Sequence, residues 1–298
     1  MSGVSVIVPV FNSQEYLERC LSSLHAQTFK DVEFICVDDG SNDESIMIMK
    51  RYASMDDRFR IIENSHSGVS ASRNIGMDSA NSKYICFLDS DDSFHKNTLR
   101  ILFDTAESDN CDVVKFNAKT IHGDKWMKDS FLRHDELIED FKPEDIFRYK
   151  DCRPFVWSHF IRRTVIGDVR FNESLILGED QEFIIRYMVN AKRVRFLNKK
   201  LYNHYNIPDS NFNRLSLDPD EVCNNHIMLV ESVISEVNID SVEFAEWIFD
   251  TLYVSFTKSC MTKNNMRRIQ ELFEKCSLVD RLQDAERLRK LKQFMNTR

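Results

Sequence analysis

Glycine and proline are scarce in this chain, seven and five residues among 298, and the glycines are scattered. Neither G-x-x-x-x-G-K-[ST] nor G-x-G-x-x-G occurs, so the glycine-rich loops that hold phosphates on backbone N–H groups are absent. Phosphates held here would be held by side chains and a metal. No two of the eight cysteines, at 20, 36, 86, 111, 152, 223, 260 and 276, form C-x-x-C. Cys36 and Cys86 fall inside apolar strand patterns, so the cysteines are expected to be reduced core residues of a cytoplasmic protein, with neither a disulfide framework nor a zinc site. The sequon Asn172-Glu-Ser174 then carries no weight. Positive charge is in deficit, with a net charge of −8, which argues against a general nucleic-acid-binding surface. No stretch approaches the ~20 apolar residues that span a bilayer. The apolar run Val4–Phe11 is short and follows no positive charge, so it reads as a buried strand rather than a signal peptide.

What is present has the balance of a globular protein, 42% hydrophobic and 30% charged, and its length suits about two domains. The first ~120 residues alternate between period-2 and helical patterning. Val4–Val10 is a β-branched run. Asn12-Ser-Gln-Glu15 offers a cap with an acidic third helical position, and Tyr16, Leu17, Cys20, Leu21 and Leu24 follow at helical spacing. Strands are expected at Val32–Val37, Phe59–Ile62, Tyr84–Leu88 and Val113–Phe116, with helices at Ile46–Tyr52, Val69–Ala80 and Leu99–Ala106 between them. This alternation predicts an α/β fold with a mainly parallel sheet covered on both faces. After Lys119 the rhythm changes. Residues 120–145 are polar with scattered aromatics, Pro143 opens a short helix, and Phe155–Ile166 is aromatic and basic. Glu179–Ala191 is helical, and Val194–Leu197 is a further strand candidate. From Asp218 onward Ile227–Ile234, Ala245–Phe256 and Ile269–Phe273 read as successive helices.

The chemistry concentrates in Phe87-Leu88-Asp89-Ser90-Asp91-Asp92, where an apolar run ends in three carboxylates within four positions. Such a cluster repels itself unless a cation neutralises it. Mg²⁺ or Mn²⁺ suits one or two carboxylates completed by substrate phosphates, and open α/β sheets bind ligands at strand exits. The plain alternative is an acidic turn capping the next helix. An EF-hand is excluded, because its sixth and twelfth places would hold Phe94 and Arg100. The second strand also ends in carboxylates, Asp38-Asp39. In a doubly wound sheet the two ends share an edge, so a base or ribose would sit on one and a metal–diphosphate on the other. Pro9 fixes the backbone of the first strand, and Asn12 puts a short polar group at its exit. In Gly68-Val-Ser-Ala-Ser-Arg73-Asn74, Arg73 would pair with a phosphate or form a salt bridge to one of the acidic groups.

Val4-Ser-Val-Ile-Val-Pro-Val-Phe-Asn12, Val37-Asp-Asp-Gly-Ser41, Ser72-Arg-Asn-Ile-Gly76 and Phe87-Leu-Asp-Ser-Asp-Asp92 stand in an order and spacing that resemble the family 2 glycosyltransferases of the GT-A fold. The resemblance covers residues 3–116 well. It extends to Phe155-Val-Trp157 and to Arg170-Phe171 through Gly178-Glu-Asp-Gln-Glu-Phe183, and fades beyond about residue 215. It implies a GT-A nucleotide-binding sheet with flanking helices plus a C-terminal helical region. In that division residues 1–118 hold the nucleotide-sugar, 119–215 bind the acceptor and carry the catalytic base, and 216–298 form the helical region. The implied activity is inverting transfer from a nucleotide-sugar, usually a UDP-sugar, to an acceptor hydroxyl. Bacterial surface polysaccharide or lipooligosaccharide synthesis is the implied setting, with Mn²⁺ or Mg²⁺ as cofactor and a glycan or lipid-linked acceptor.

Carried over residue by residue, the resemblance gives Pro9, Asp39 and Arg73 as nucleotide contacts. It gives Asp91 as metal ligand and Asp89 as ribose or metal ligand, with Asp92 an alternative metal ligand. Asp180 becomes the catalytic base; the plainer reading has Glu179 and Asp180 capping a helix through its dipole. His204 is a further metal-ligand candidate. Trp157 would stack on a sugar ring, or be core, and Arg162 and Arg163 would meet diphosphate or simply be solvated. The tail Arg281 to Arg298 mixes Arg281, Arg287, Arg289, Lys290 and Lys292 with Leu282, Leu288, Leu291 and Phe294. It would lie on an anionic membrane surface, or pack on the domain. Two other functions compete: a catalytically silent binding or assembly module of the same fold, and a sugar nucleotidyltransferase. The latter would need a basic loop where Asn12-Ser-Gln-Glu15 stands without Lys or Arg.

Overall fold

A computed structural model describes residues 3–122, 125–127, 132–149, 155–207, 218–258 and 262–296. Cys152, Cys260 and Arg298 lie outside them. Among these residues ten strands form one sheet, in the order Phe59–Glu63, Val32–Asp38, Val4–Val10, Tyr84–Phe87, His159–Arg162, Val113–His122, Val194–Tyr205, Ser93–Phe94, with Lys125–Met127 on the sixth of these and Glu136–Ile138 on the seventh. The first half follows the expected alternation: β1 (Val4–Val10), α1 (Gln14–His25), β2 (Val32–Asp38), α2 (Ser45–Met55), β3 (Phe59–Glu63), α3 (Val69–Ser79) and β4 (Tyr84–Phe87). Strand β1 is buried along its whole length. Val4, Val6, Val8 and Val10 pack with Leu17, Leu21 and Leu24 of α1 on one face, while Ile7 joins the core on the other. A strand covered on both faces reads as one apolar run, and this is why it was legible.

The sheet is parallel through its first strands and takes antiparallel ones beyond them. Parallel pairing holds through β3, β2, β1 and β4. After β5 (Ser93–Phe94) and α4 (Thr98–Ser108) come β6 (Val113–His122), β7 (Lys125–Met127), β8 (Glu136–Ile138) and α5 (Asp145–Arg148). A 3₁₀ turn at Val156–Ser158 then leads into β9 (His159–Arg162) and α6 (Arg163–Ile166). Strand β9 runs antiparallel between β4 and β6. It places Arg162 opposite Tyr84, the start of β4. There Arg162 donates to Cys111 O, and Arg163 to Ser82 O. Both arginines therefore sit at the far end of β4 from Asp89, as structural donors.

Helix α7 (Glu179–Met188) precedes β10 (Val194–Tyr205), a strand of 12 residues against the four expected. It pairs parallel with β6 through register shifts around Lys200. Bulges of this kind re-aim side chains. The chain then forms α8 (Pro219–Glu236), α9 (Val242–Lys258), α10 (Lys263–Lys275), α11 (Leu278–Arg281) and α12 (Ala285–Met295), as the helical patterning required. Asp218 and Glu221 form a capping box that starts α8. In α12 Leu291 and Phe294 are buried in the core, and Arg287 pairs with Asp250 and Glu246 of α9. The apolar face that a bilayer would take is turned inward. No helix among the described residues is long and apolar enough to cross a membrane. The six described cysteines are buried and unpaired by disulfides.

Candidate active site

The β1–β4 ladder ends at Ile7 opposite Phe87, and its last bond is Leu88 N–H to Ile7 O at 3.0 Å. The next β1 residue whose N–H would continue it is Pro9, which has none. Strand order reverses here, with β2 on one side of β1 and β4 on the other. A crevice at such a switch point is where open α/β sheets take ligands. Pro9 is buried within the strand, so it shapes the crevice from inside.

On the β2 side, Asp39 is 3% exposed. Its Oδ1 accepts from Ser67 N–H at 2.8 Å and Asn64 Nδ2 at 3.1 Å, and its Oδ2 from Gly68 N–H at 2.8 Å. The carboxylate thus organises the loop into α3, where Gly68 takes φ +95. Asn12 does not cap α1, whose N-cap is Ser13. It adopts φ +46 and crosses to the loop after β2, donating its N–H to Ser41 Oγ and accepting from Asn42 N–H at 2.8 Å. Beside them Phe11 stacks on His66 at 4.3 Å between centroids, and His66 Nδ1 meets Asp39 Oδ2 at 3.1 Å. Sequence patterning gave no sign of this aromatic pair, because its members are 55 positions apart.

The acidic turn leaves β4 on the other side of the crevice. Asp92 is 1% exposed and fully engaged: Tyr202 Oη–H donates to Oδ2 at 2.6 Å, Tyr205 N–H to Oδ1 at 2.8 Å, and His204 Nδ1 lies 3.2 Å from Oδ2. All three partners come from the bulged end of β10. Arg19, stacked over the Tyr205 ring at 3.5 Å, donates to Asp91 O. Asp91 itself has its carboxyl pushed up to about 7, by burial first and then by Asp92 and Asp89. Burial also raises Asp89, to about 6, against the pull of Arg73. The hydrogen bond to Asp92 raises His204.

Among the described residues no three His, Cys, Asp or Glu side chains converge as a ready-made metal site. The donor chemistry nevertheless fits a hard divalent cation whose shell is completed by phosphate oxygens. Asp91 is a partly exposed carboxylate whose pKa is raised by burial and then by Asp92 and Asp89. His204 has its Nδ1 on a carboxylate, which is how ligating histidines are commonly oriented.

Arg73, 4% exposed, joins the two halves of the site. Its Nη2 donates to Asp89 Oδ1 at 3.2 Å; its Nη1 donates to Asp180 Oδ1 at 2.8 Å and Glu179 Oε1 at 3.3 Å. Arg73 thus makes ion pairs with three acidic groups. Asp180 Oδ2 accepts Val156 N–H at 3.0 Å. Glu179 is raised by burial and then by Asp180. Trp157 is 4% exposed and stacks on Tyr202 at 4.3 Å and on Phe155 at 5.0 Å. Phe155 is 41% exposed at φ +64, a backbone setting bulky residues rarely take and one that clusters at functional sites. The aromatic face open at the site is therefore Phe155 rather than Trp157. One continuous arrangement thus links the turn of Glu179 and Asp180, the acidic turn and the strand crevice.

The model of "Glycosyl transferase family 2" matches residues 5–167, more than half of the chain. A relative in Bacillus subtilis, the uncharacterized glycosyltransferase EpsJ, is 31% identical over 70% of this chain and 62% of its own length. The poly(ribitol-phosphate) beta-N-acetylglucosaminyltransferase TarS of Staphylococcus aureus is 28% identical over 68% of this chain and 35% of its own. The chain thus spans less than two thirds of either relative. The crystal structure of TarS residues 1–349 in complex with UDP-GlcNAc has the same fold, with a TM-score of 0.76 over 98% of this chain and 88% of that one, at 19% identity. A mannosyltransferase from Pyrobaculum calidifontis, solved with GDP-Man and Mn²⁺, aligns at a TM-score of 0.57 over 98% of this chain and 79% of its own, with 13% identity.

Proposed function

The chain belongs to glycosyl transferase family 2, and from that premise we propose that it transfers a sugar, with inversion, from a UDP-sugar to an acceptor hydroxyl. The observation that carries this reading is Arg73, whose single guanidinium ties the acidic turn at Asp89 to the carboxylate of Asp180. This supports a base at Asp180 and a diphosphate site at Asp89, on either side of one crevice.

In this reading the nucleotide lies across the ends of β1 and β2. The stacked pair Phe11 and His66 offers a face for the base. Asp39, Asn12 and Pro9 shape the loops and the gap around it, and Asp89 faces the ribose or the metal. A divalent ion, Mn²⁺ or Mg²⁺, would be held by Asp91 with Asp89 and His204 at its flanks, and would neutralise the charge that grows on the diphosphate. Asp92, with both oxygens engaged, supports those groups rather than ligating. Asp180 takes the proton of the acceptor hydroxyl. The acceptor oxygen then attacks the anomeric carbon from the side opposite the nucleotide, and the bond to the diphosphate oxygen breaks. Two fixed hydrogen bonds hold the carboxylate in place and leave it lone pairs for that proton. The Phe155 face, next to Asp180 in space, suits an acceptor or donor sugar, with Trp157 backing it.

We assign residues 1–118 to the donor, 119–215 to the acceptor and base, and 216–298 to support. The setting is bacterial surface polysaccharide assembly with a glycan or lipid-linked acceptor, of which the relatives support the glycan, and a cytoplasmic location goes with the six described cysteines, which are buried and unbridged. Membrane contact through α12 would rest on its outward residues Arg289 and Lys292 alone, since Leu291 and Phe294 are packed inside.

Asp180→Asn tests the reading. A screen of UDP-, GDP-, CMP- and dTDP-sugars with Mn²⁺ and Mg²⁺ should reveal turnover by the wild type, abolished by chelator. In the variant turnover should drop by about 10²–10⁴-fold, while calorimetric titration of UDP still shows binding that requires Mn²⁺. Near-normal turnover in the variant would remove Asp180 from the mechanism. UDP binding indifferent to Mn²⁺ would remove the metal.

A further inference from the structure

The family match ends at residue 167, yet the turn that carries Glu179 and Asp180 is gripped by helices beyond residue 218. Asn225 of α8 is 4% exposed. Its Oδ1 accepts the N–H groups of Ile176 at 2.7 Å and Leu177 at 3.2 Å, and its Nδ2 donates to Leu177 O. Gly178, the N-cap of α7, takes φ +79, and a Cβ on it would stand 2.5 Å from Leu229 Cδ1 of α8. Trp247 of α9 donates its Nε1–H to Gln181 Oε1 at 3.2 Å. Ser232 of α8 donates to Glu182 Oε1, which also accepts from Arg186. Contacts at 176, 177, 178, 181 and 182 thus bracket the two carboxylates on both sides.

We propose that the C-terminal helices act as a clamp on the base turn, with Asn225 as the positioning residue that fixes where Asp180 meets Arg73 and the acceptor. The proposal rests on the reading of Asp180 as the base. Three peptide groups of the turn find their partners in one amide side chain, which offers both an acceptor and a donor. Removing it leaves part-buried peptide groups without these partners, and the turn shifts to satisfy them. A carboxylate misplaced by about 1 Å can lower a rate by roughly 10²-fold. The donor side of the crevice is built from β1, β2, β4 and their loops, which Asn225 does not touch. Loss of the clamp therefore shows in turnover and not in nucleotide affinity.

Three variants test this in the full chain. Asn225→Ala should lower kcat by about tenfold or more, with the Kd of UDP in Mn²⁺ within about twofold of wild type and faster amide exchange at Ile176 and Leu177. Trp247→Phe deletes the bond to Gln181 and part of a buried ring but leaves Asn225 in place, so its kcat should fall by a smaller factor. Arg287→Ala loosens α12 on α9 without touching the turn, and should keep the wild-type kcat. Wild-type kcat in Asn225→Ala despite faster exchange overturns the clamp. So does an equal loss in Arg287→Ala, which would make the effect one of general stability. Failure of the transferase reading looks different, because the wild-type protein itself then turns over no nucleotide-sugar, and the proposal falls with it.

Discussion

Arg73 bonds to carboxylates 16, 106 and 107 residues away in sequence. A sequence shows the arginine and shows the acids, but not that three of them meet one guanidinium. A phosphate contact follows from a cation at a helix start, and only the fold shows the carboxylates that stand beside it. Asp39 carries the same lesson: its position at a strand exit was legible, but the three N–H groups it gathers from the 64–68 loop were not. Asp56 shows a local version whose effect can be measured. At the end of α2 it accepts from Arg58 Nε at 2.9 Å and Nη2 at 2.6 Å, and meets His25 Nδ1 at 2.8 Å. Arg58, the largest cause, holds its carboxyl well below the usual carboxylate range. A depressed folded-state pKa contributes stability that is complete above the unfolded value of ~3.9 and fades as pH falls through the folded one. Asp56→Asn should therefore cost about 2 kcal/mol at pH 7. The gap to wild type should narrow steadily below pH ~4 in urea titrations. A gap that stays constant down to pH ~3 would show that the carboxylate charge contributes nothing.

At the scale of elements, legibility followed burial pattern. Strands β1, β2 and β4 are mostly apolar and were read within a residue or two. Strand β6 was read only to Phe116, because Asn117 interrupts the pattern; its amide is buried and bonds Leu132 and Asn198, so a polar residue continues the strand inside the protein. Strand β10 was cut at Leu197 because its bulges break the period. The four residues of β9 begin with a histidine and end with an arginine, which left no alternation to follow. Helix α3 was recovered nearly to the residue, but why it carries Gly76 was not visible. A Cβ there would lie 2.4 Å from Ile7 Cγ2 of β1, so the glycine lets the helix that carries Arg73 approach the central strand. Gly76→Ala gains about 1 kcal/mol of helix propensity but overpacks a closed contact, at a cost of typically 1–3 kcal/mol. The second effect should win. We expect a lower thermal midpoint for the variant, together with weaker UDP binding as α3 is pushed off β1. A raised midpoint would mean that α3 has room to move.

Across the whole molecule the family signature and the folding unit do not coincide. The recognisable motifs end before residue 215, where the sequence offers amphipathic helices and no chemistry, and nothing in their pattern names a packing partner. The structure supplies one. A single core runs from Ile7, Val37 and Phe87 of the sheet through Phe183 and Tyr187 of α7 to Leu229, Phe249, Phe273 and Phe294 of the C-terminal helices. The helices cover the face of the sheet that would otherwise lie open, so neither part has a closed core alone. Small cores that share apolar surface unfold together when exposing one exposes the other. Trp157 lies beside the acidic turn, and Trp247 lies in α9. Two variants would each keep one of them, Trp126→Phe/Trp247→Phe and Trp126→Phe/Trp157→Phe. Their fluorescence should report the same urea midpoint and the same slope as far-ultraviolet circular dichroism of that variant. Two separate midpoints would divide the molecule into a self-sufficient nucleotide-binding unit and a detachable helical one. That result would also release the turn of Glu179 and Asp180 from its support, since a helical region free to melt alone cannot hold that turn through Asn225 and Trp247.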